Sequence, residues 1–317
     1  MKKLGLYIHI PFCIQKCYYC DFLSFEHIKE EDMNRYADAA AAEIENKSAM
    51  LKDHIIDTIF LGGGTPSVLN SESLEKIIQA VFKYFKVSDS IEFTIEANPK
   101  TFNKEKLSHY LHLGINRLSM GVQSLEDDIL KILGRIHSSQ DFYRSFYDAR
   151  EAGFSNVNTD IMFSIPKQSE KDWKNTLHNI LELKPEHISF YSLKIEENTP
   201  FHEMQNKGII EEYDEDTDRK MFWYAVNEIK NEGYIHYEIS NAALEGYECR
   251  HNLKYWSMEE YLGIGAGAHS FISGIRSSNE TDLNKYIHNV NNKIDTTVWS
   301  YQNSAKDNIS EYIFTGL

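Results

Sequence analysis

Six short β-rich runs alternate with six longer helical ones, and that order leaves few folds open to the chain. The strand runs are Leu4–Ile10, Thr58–Leu61, Ile91–Ala97, Arg117–Gly121, Val157–Met162 and His187–Leu193. Helical patterns fill Asp32–Lys52, Ser71–Phe85, Lys104–Leu113, Ser139–Ala152, Ser169–Leu183 and Asp214–Asn231. In the second helix Leu74, Ile77, Ile78 and Val81 fall on one face, with Ser71 available as N-cap. Gly114 and Gly153 stand where a left-handed C-cap would stop the next two. Strand–helix alternation implies a parallel sheet with helices outside it. Too few units precede residue 200 to close an eight-fold barrel. The expected fold is therefore α/β: an open, partial TIM-like (β/α)6 barrel over residues 1–232. A doubly wound open sheet is the fallback. Residues 233–317 read as an α/β extension of the barrel: Tyr234–Ile239, an irregular His/Tyr/Trp-rich stretch, then a glycine-rich run.

The unusual residues gather just after these strands. CIQKCYYC follows the first, GGGTP the second, EANP closes the third, GVQS ends the fourth, Asp160 lies in the fifth and YSLK ends the sixth. In parallel α/β folds the site forms at the carboxyl ends of the strands. Three of the four cysteines fall within eight residues, which is a metal-site spacing and not a disulfide framework. A cubane iron–sulfur cluster takes four thiolates. The local three, Cys13, Cys17 and Cys20, would leave one iron open to a small molecule. Zinc is the rival, with Cys249 or His27 completing a set of four. Three free thiols in a loop is the plain alternative. The formal net charge of −15 repels phosphate backbones, so nucleic acid is not an expected partner and an anionic membrane is disfavoured. No apolar run reaches the ~18 residues of a bilayer span. The apolar start MKKLGLYIHIPFC is interrupted by His9 and Pro11, which argues for a strand and not a signal peptide. The expected compartment is the cytoplasm.

YIHIPFCIQKCYYCDF resembles the opening of the coproporphyrinogen-oxidase-like branch of the radical SAM superfamily, and the resemblance runs from about Leu4 to the chain end. It implies a [4Fe-4S] cluster on Cys13, Cys17 and Cys20 with S-adenosylmethionine (SAM) at the open iron. In that family the cluster donates an electron to SAM, and cleavage gives a 5′-deoxyadenosyl radical, chemistry that belongs to the cofactors. The resemblance further implies SAM contacts from Gly63, Gly64 and Thr65, from Glu96, Gln123, Arg135 and Asp160, and from Tyr7 and Tyr19 beside the cluster. On the residues alone each has a plainer reading. The glycines suit a tight strand-to-helix turn, Glu96 a solvated strand-end acid, Arg135 a surface helix, and the tyrosines barrel packing. Two positions depart from the family: Ser164 stands where glycine is common, and Lys194 where a small residue flanks a second SAM. The lysine argues against tight binding of a second SAM.

Two features point within that branch to HemW-like proteins, regarded as haem chaperones. Asp21 and Phe22 follow Cys20, so the oxidases' further cysteine is missing, and only 12 residues precede Cys13. HNLKYW, with His251, Asn252, Tyr255 and Trp256, resembles the HNxxYW motif tied to haem binding there. Histidine is a common axial ligand, and aromatics cover a porphyrin face; the plain alternative is a satisfied core histidine among packed aromatics. Cys249 reads as a small buried filler. The implied function is a chaperone that binds haem and a cluster with exchangeable SAM. It would deliver haem to an acceptor protein, respiratory-chain proteins among the candidates. The alternative is a catalytic radical SAM enzyme such as oxygen-independent coproporphyrinogen III oxidase. Gly263–Ser270 fails as a dinucleotide fingerprint, lacking both context and spacing. Within it His269 is open between pocket and turn. His9 reads as a barrel-interior histidine, and Glu211–Asp216 as a solvated helix start. EYIFTGL leads, in the family, into a further helical domain, which is expected to be absent here.

Overall fold

The computed structural model describes residues 1–315. Of EYIFTGL, Gly316 and Leu317 lie outside the described residues. The main strands are β1 (Lys2–Ile10), β2 (His54–Gly63), β3 (Val87–Ala97), β4 (Arg117–Gln123), β5 (Val157–Phe163), β6 (His187–Ser192), β7 (Ile235–Glu238), β8 (Asn241–Ala243), β9 (Tyr261–Ile264), β10 (His269–Ile272), β11 (Ile275–Asn279) and β12 (Thr297–Gln302). The helices are α1 (Glu30–Ser48), α2 (Ser71–Tyr84), α3 (Lys104–His112), α4 (Asp127–Ile132), α5 (Ser139–Ala152), α6 (Glu170–Leu183), α7 (Pro200–Asn206), α8 (Glu215–Asn231), α9 (Arg250–Trp256), α10 (Leu283–Asn291) and α11 (Ala305–Thr315).

All twelve strands share one sheet, in the order β12-β11-β10-β9-β1-β2-β3-β4-β5-β6-β8-β7. The run from β9 through β6 is parallel. β8 and β7 add antiparallel at one edge and β10 to β12 at the other. The edges do not meet, so the fold is a partial, open TIM-like barrel. The extension supplies a seventh parallel strand, β9, hidden in the sequence by Gly263 and the glycines that follow it.

Period-two alternation decides which side chains face the interior. Leu4, Leu6, Ile8 and Ile10 of β1 are fully buried in the core shared with the helices. Tyr7, between them, faces the cavity on the other side. In β4, Leu118, Met120 and Val122 join the core while Arg117, Ser119, Gly121 and Gln123 line the cavity. Helix α2 shows the same economy. Leu74, Ile77, Ile78 and Val81 are buried, each worth ~1.5–3 kcal/mol, against ~1 kcal/mol for its cap. That cap is Asn70 and not Ser71: the Asn70 side chain accepts the Ser73 N–H at 2.8 Å. Burial places the helix, and the cap sets its first turn.

The His/Tyr/Trp-rich stretch is not irregular. It forms α9, which packs against the first half of β1 and β2. His251 bonds Thr58 at 2.8 Å, and Lys254 pairs with Asp57 at 2.9 Å. Gly5 admits this helix: a Cβ there would meet Lys254 Cδ at 2.9 Å and His251 Cε1 at 3.3 Å. At the far edge β12 exposes Val298, Trp299 and Tyr301, and α11 exposes Ile309, Tyr312, Ile313 and Phe314. Among the described residues no helix is long and apolar enough to cross a membrane.

Candidate cofactor cavity

The inner face of the sheet encloses a cavity of about 660 Å³ that opens beside the cysteine loop. That is ample for a cofactor-sized ligand. Cys13 lies on a two-residue parallel bridge, Phe12–Cys13 with Phe25–Glu26. Cys17 and Cys20 close a turn, Cys20 N–H donating to Cys17 O at 3.2 Å. The loop is pinned from both sides, Tyr18 N–H to Leu133 O and Phe201 N–H to Tyr18 O. Cys13 Sγ lies 3.5 Å from Thr65 Oγ1, and Arg135 Nη1 donates to Cys17 Sγ at 3.5 Å. Burial raises the Cys13 thiol, and raises Cys20 to about 11.

All three cysteines line the cavity. Among the described residues no three His, Cys, Asp or Glu side chains converge on a point fit for one metal ion. Structural zinc asks for such a convergent set, and neither Cys249 nor His27 lines the cavity. Cys249 is buried against Glu92 instead, 3.7 Å from its Oε1. The three cysteines share the cavity lining, and a cubane binds each thiolate through a separate iron, so it does not ask them to meet at one point.

The other residues of the sequence reading surround the same space. Tyr7, Tyr19, Gly63, Gly64, Thr65, Glu96, Gln123, Arg135 and Asp160 all line it. Gly63 has φ 110°, and a Cβ there would strike the His9 ring at 2.4 Å, so only glycine serves. Its N–H donates to Glu96 Oε2 at 3.2 Å. Burial first, and then Asp160, raise the Glu96 carboxyl to about 8. Gln123 sits at φ 67°, just past a register shift between β4 and β5. Left-handed backbone at a non-glycine is a strained state that clusters at binding sites. Arg135 is no surface residue. It donates to Asn98 Oδ1 at 2.6 Å and to Gly121 O as well as to Cys17.

Of the HNLKYW residues, His251, Asn252 and Tyr255 line the cavity and Trp256 does not. His251 is 1% exposed. Its Nδ1 meets Thr58 at 2.8 Å, its Nε2 meets the Tyr255 hydroxyl at 2.9 Å, and its ring lies 5.3 Å from that of Phe60. Burial lowers it to about 3, so the imidazole is neutral, the state a metal requires. A metal at Nε2 must displace the Tyr255 hydroxyl, which stands at the cavity wall. His9 is buried in the barrel as expected, bonded to Tyr7 and Leu23. His269 is exposed and outside the cavity lining. Lys194 stands exposed at the lining.

Sequence reasoning missed Arg117, Asn98, Asn158 and Tyr191, which also line the cavity. The alternation Arg117, Ser119, Gly121, Gln123 was the available signal for the first.

Comparison with known proteins gives a consistent picture. Residues 7–180 match the Radical SAM superfamily. The heme chaperone HemW of Bacillus subtilis is 38% identical over 98% of this chain and 82% of its own length. HemW of Lactococcus lactis is 35% identical over 100% and 82%, and HemW of Escherichia coli 37% over 86% and 71%. Among solved structures, coproporphyrinogen III oxidase (HemN) from Escherichia coli superposes with a TM-score of 0.87 over 100% of this chain and 75% of that one. At 22% identity that likeness concerns the fold.

Proposed function

Since the chain belongs to the radical SAM superfamily and, within it, to the HemW family, we propose that it is a haem chaperone. It binds haem and a [4Fe-4S] cluster with exchangeable SAM, and hands haem to an acceptor protein. One observation carries this reading: the cysteine loop, the strand-end residues and His251 share a single cavity. When bound, the cluster supplies an electron source and an iron site open to SAM. The chain supplies the rest. Cys13, Cys17 and Cys20 hold the cluster. Gly63, Gly64, Thr65, Glu96, Gln123, Arg135, Asp160, Tyr7 and Tyr19 hold SAM. His251 ligates haem, with Asn252 and Tyr255 beside it in the lining. Residues 1–232 are the cofactor core, and 233–317 add the floor and the edge strands.

The test is anaerobic reconstitution with iron and sulfide, then haem titration followed in the Soret band. The expected result is about four irons and four sulfides per chain and a Soret shift that His251→Ala abolishes. A loaded cluster with no Soret response overturns the chaperone assignment. Substrate-dependent 5′-deoxyadenosine from coproporphyrinogen would favour a catalytic enzyme instead.

A further inference from the structure

Arg117 is the first residue of β4, is 2% exposed and lines the cavity. Among the described residues its side chain donates no hydrogen bond, and its Nε is buried without a partner. Arginine stays charged and carries five donors. A buried charge left without contact partners costs several kcal/mol.

The carboxylates whose charge reaches it, Glu92 and Asp160, are hydrogen-bonded to other groups. Glu92 accepts the N–H groups of Arg250 and His251 at 2.9 Å. Asp160 accepts from Asn158 at 2.7 Å and Ser119 at 3.5 Å. Asn158 in turn bonds Ser119, His187 and Ser189. The other buried cations differ. Arg135 is committed to Asn98, Gly121 and Cys17, and Lys254 to Asp57 and Glu259.

We propose that Arg117 is a carboxylate anchor on the cavity floor, and that the carboxylate it receives is a propionate of the bound porphyrin. This rests on the haem reading above. Position selects the porphyrin over SAM. Arg135 reaches Cys17 at the level of Gly121, four residues further along β4, or roughly 13 Å of strand. An amino-acid carboxylate held at the cluster is therefore out of reach of Arg117. A ligand at His251 is not: His251 bonds Thr58, which pairs with Glu92, two residues before Thr94, the partner of Arg117 in the sheet. Arginine's planar fork suits a carboxylate bidentately.

The experiment compares haem with haem dimethyl ester, whose carboxyls are blocked, by Soret titration of the reconstituted full chain. Wild type is expected to prefer free haem by ~10-fold or more, the worth of one charge-assisted hydrogen bond. Arg117→Gln is expected to weaken haem and leave the ester unchanged, bringing the preference within ~3-fold. Cluster content and circular dichroism report whether this variant folds, and if it does not, the wild-type preference is the readout. Equal binding of acid and ester by wild type overturns the anchor but not the chaperone reading. A full preference surviving in Arg117→Gln overturns it too. Failure of wild type to bind either compound overturns both.

Discussion

Burial first, and then Asp160, hold the Glu96 carboxyl at about 8, protonated at neutral pH. Its folded pKa is above its unfolded one, so its contribution to stability is full below ~4.5 and is lost as pH rises through about 8. The difference in urea stability between the apoprotein and Glu96→Gln should shift against the wild type from pH 5 to pH 8; a difference that does not change with pH would refute the assignment. SAM brings cationic groups and ribose hydroxyls that favour the carboxylate, so its binding should release a proton near neutral pH and tighten towards pH 8. Calorimetry in buffers of different ionisation enthalpy reads this directly. Ser164 offers a contest of two small effects. It sits at φ 57°, where a side chain costs ~1–2 kcal/mol, yet its hydroxyl donates to Asp218 at 2.7 Å, worth ~1.5–3 kcal/mol. Ser164→Gly should therefore be neutral to ~1 kcal/mol destabilising by urea midpoint. The cysteines and strand-end residues were legible because each departs from its surroundings in chemistry. Arg117 was missed: an arginine heading a strand reads as a solvated end, and only its period-two step to Ser119, Gly121 and Gln123 marks the cavity face.

At the scale of elements, legibility followed length. The helices α1, α2, α5, α6 and α8 span several turns, so their apolar period shows in the sequence. Helices α4, α7 and α9 have six or seven residues, too few for a period of 3.6 to register. Strands β2 and β3 start four residues before their apolar runs, because pairing extends through polar positions such as His54, bonded to Glu260 at 3.0 Å. Capping was readable at Gly153, left-handed at the end of α5, and Ser169 and Asp172 form a reciprocal capping box at α6. Ser169→Ala should cost ~1 kcal/mol in thermal or urea unfolding, with cluster loading unchanged. Gly5→Leu should unseat α9, costing ~1–3 kcal/mol or more, and its Soret response should weaken with its stability. Among the described residues strand β12 is an unpaired edge with apolar side chains in solvent, a template for association. Val298→Lys should reduce concentration-dependent light scattering; no change would clear that edge.

For the whole molecule, the buried imidazoles set the acid limit. Burial lowers His137 to about 3 and holds His187 well below its ordinary value. Both are neutral in the fold, so their stabilisation is present above ~6.5 and is lost as pH falls below it, for His137 down to about 3. Unfolding midpoints should drop between pH 7 and pH 5, and His187→Gln should make the drop shallower. The open barrel could be read ahead because six strand–helix units dictate a parallel sheet. Its seventh parallel strand and the plugging helix could not, since both are fixed by contacts with residues more than a hundred positions earlier. That helix has a consequence for the two ends of the chamber. With α9 packed at one end and the cysteine loop at the other, a neutral imidazole and three thiols line one space from opposite sides. On the proposed reading, each cofactor therefore answers to its own set of residues within a shared room.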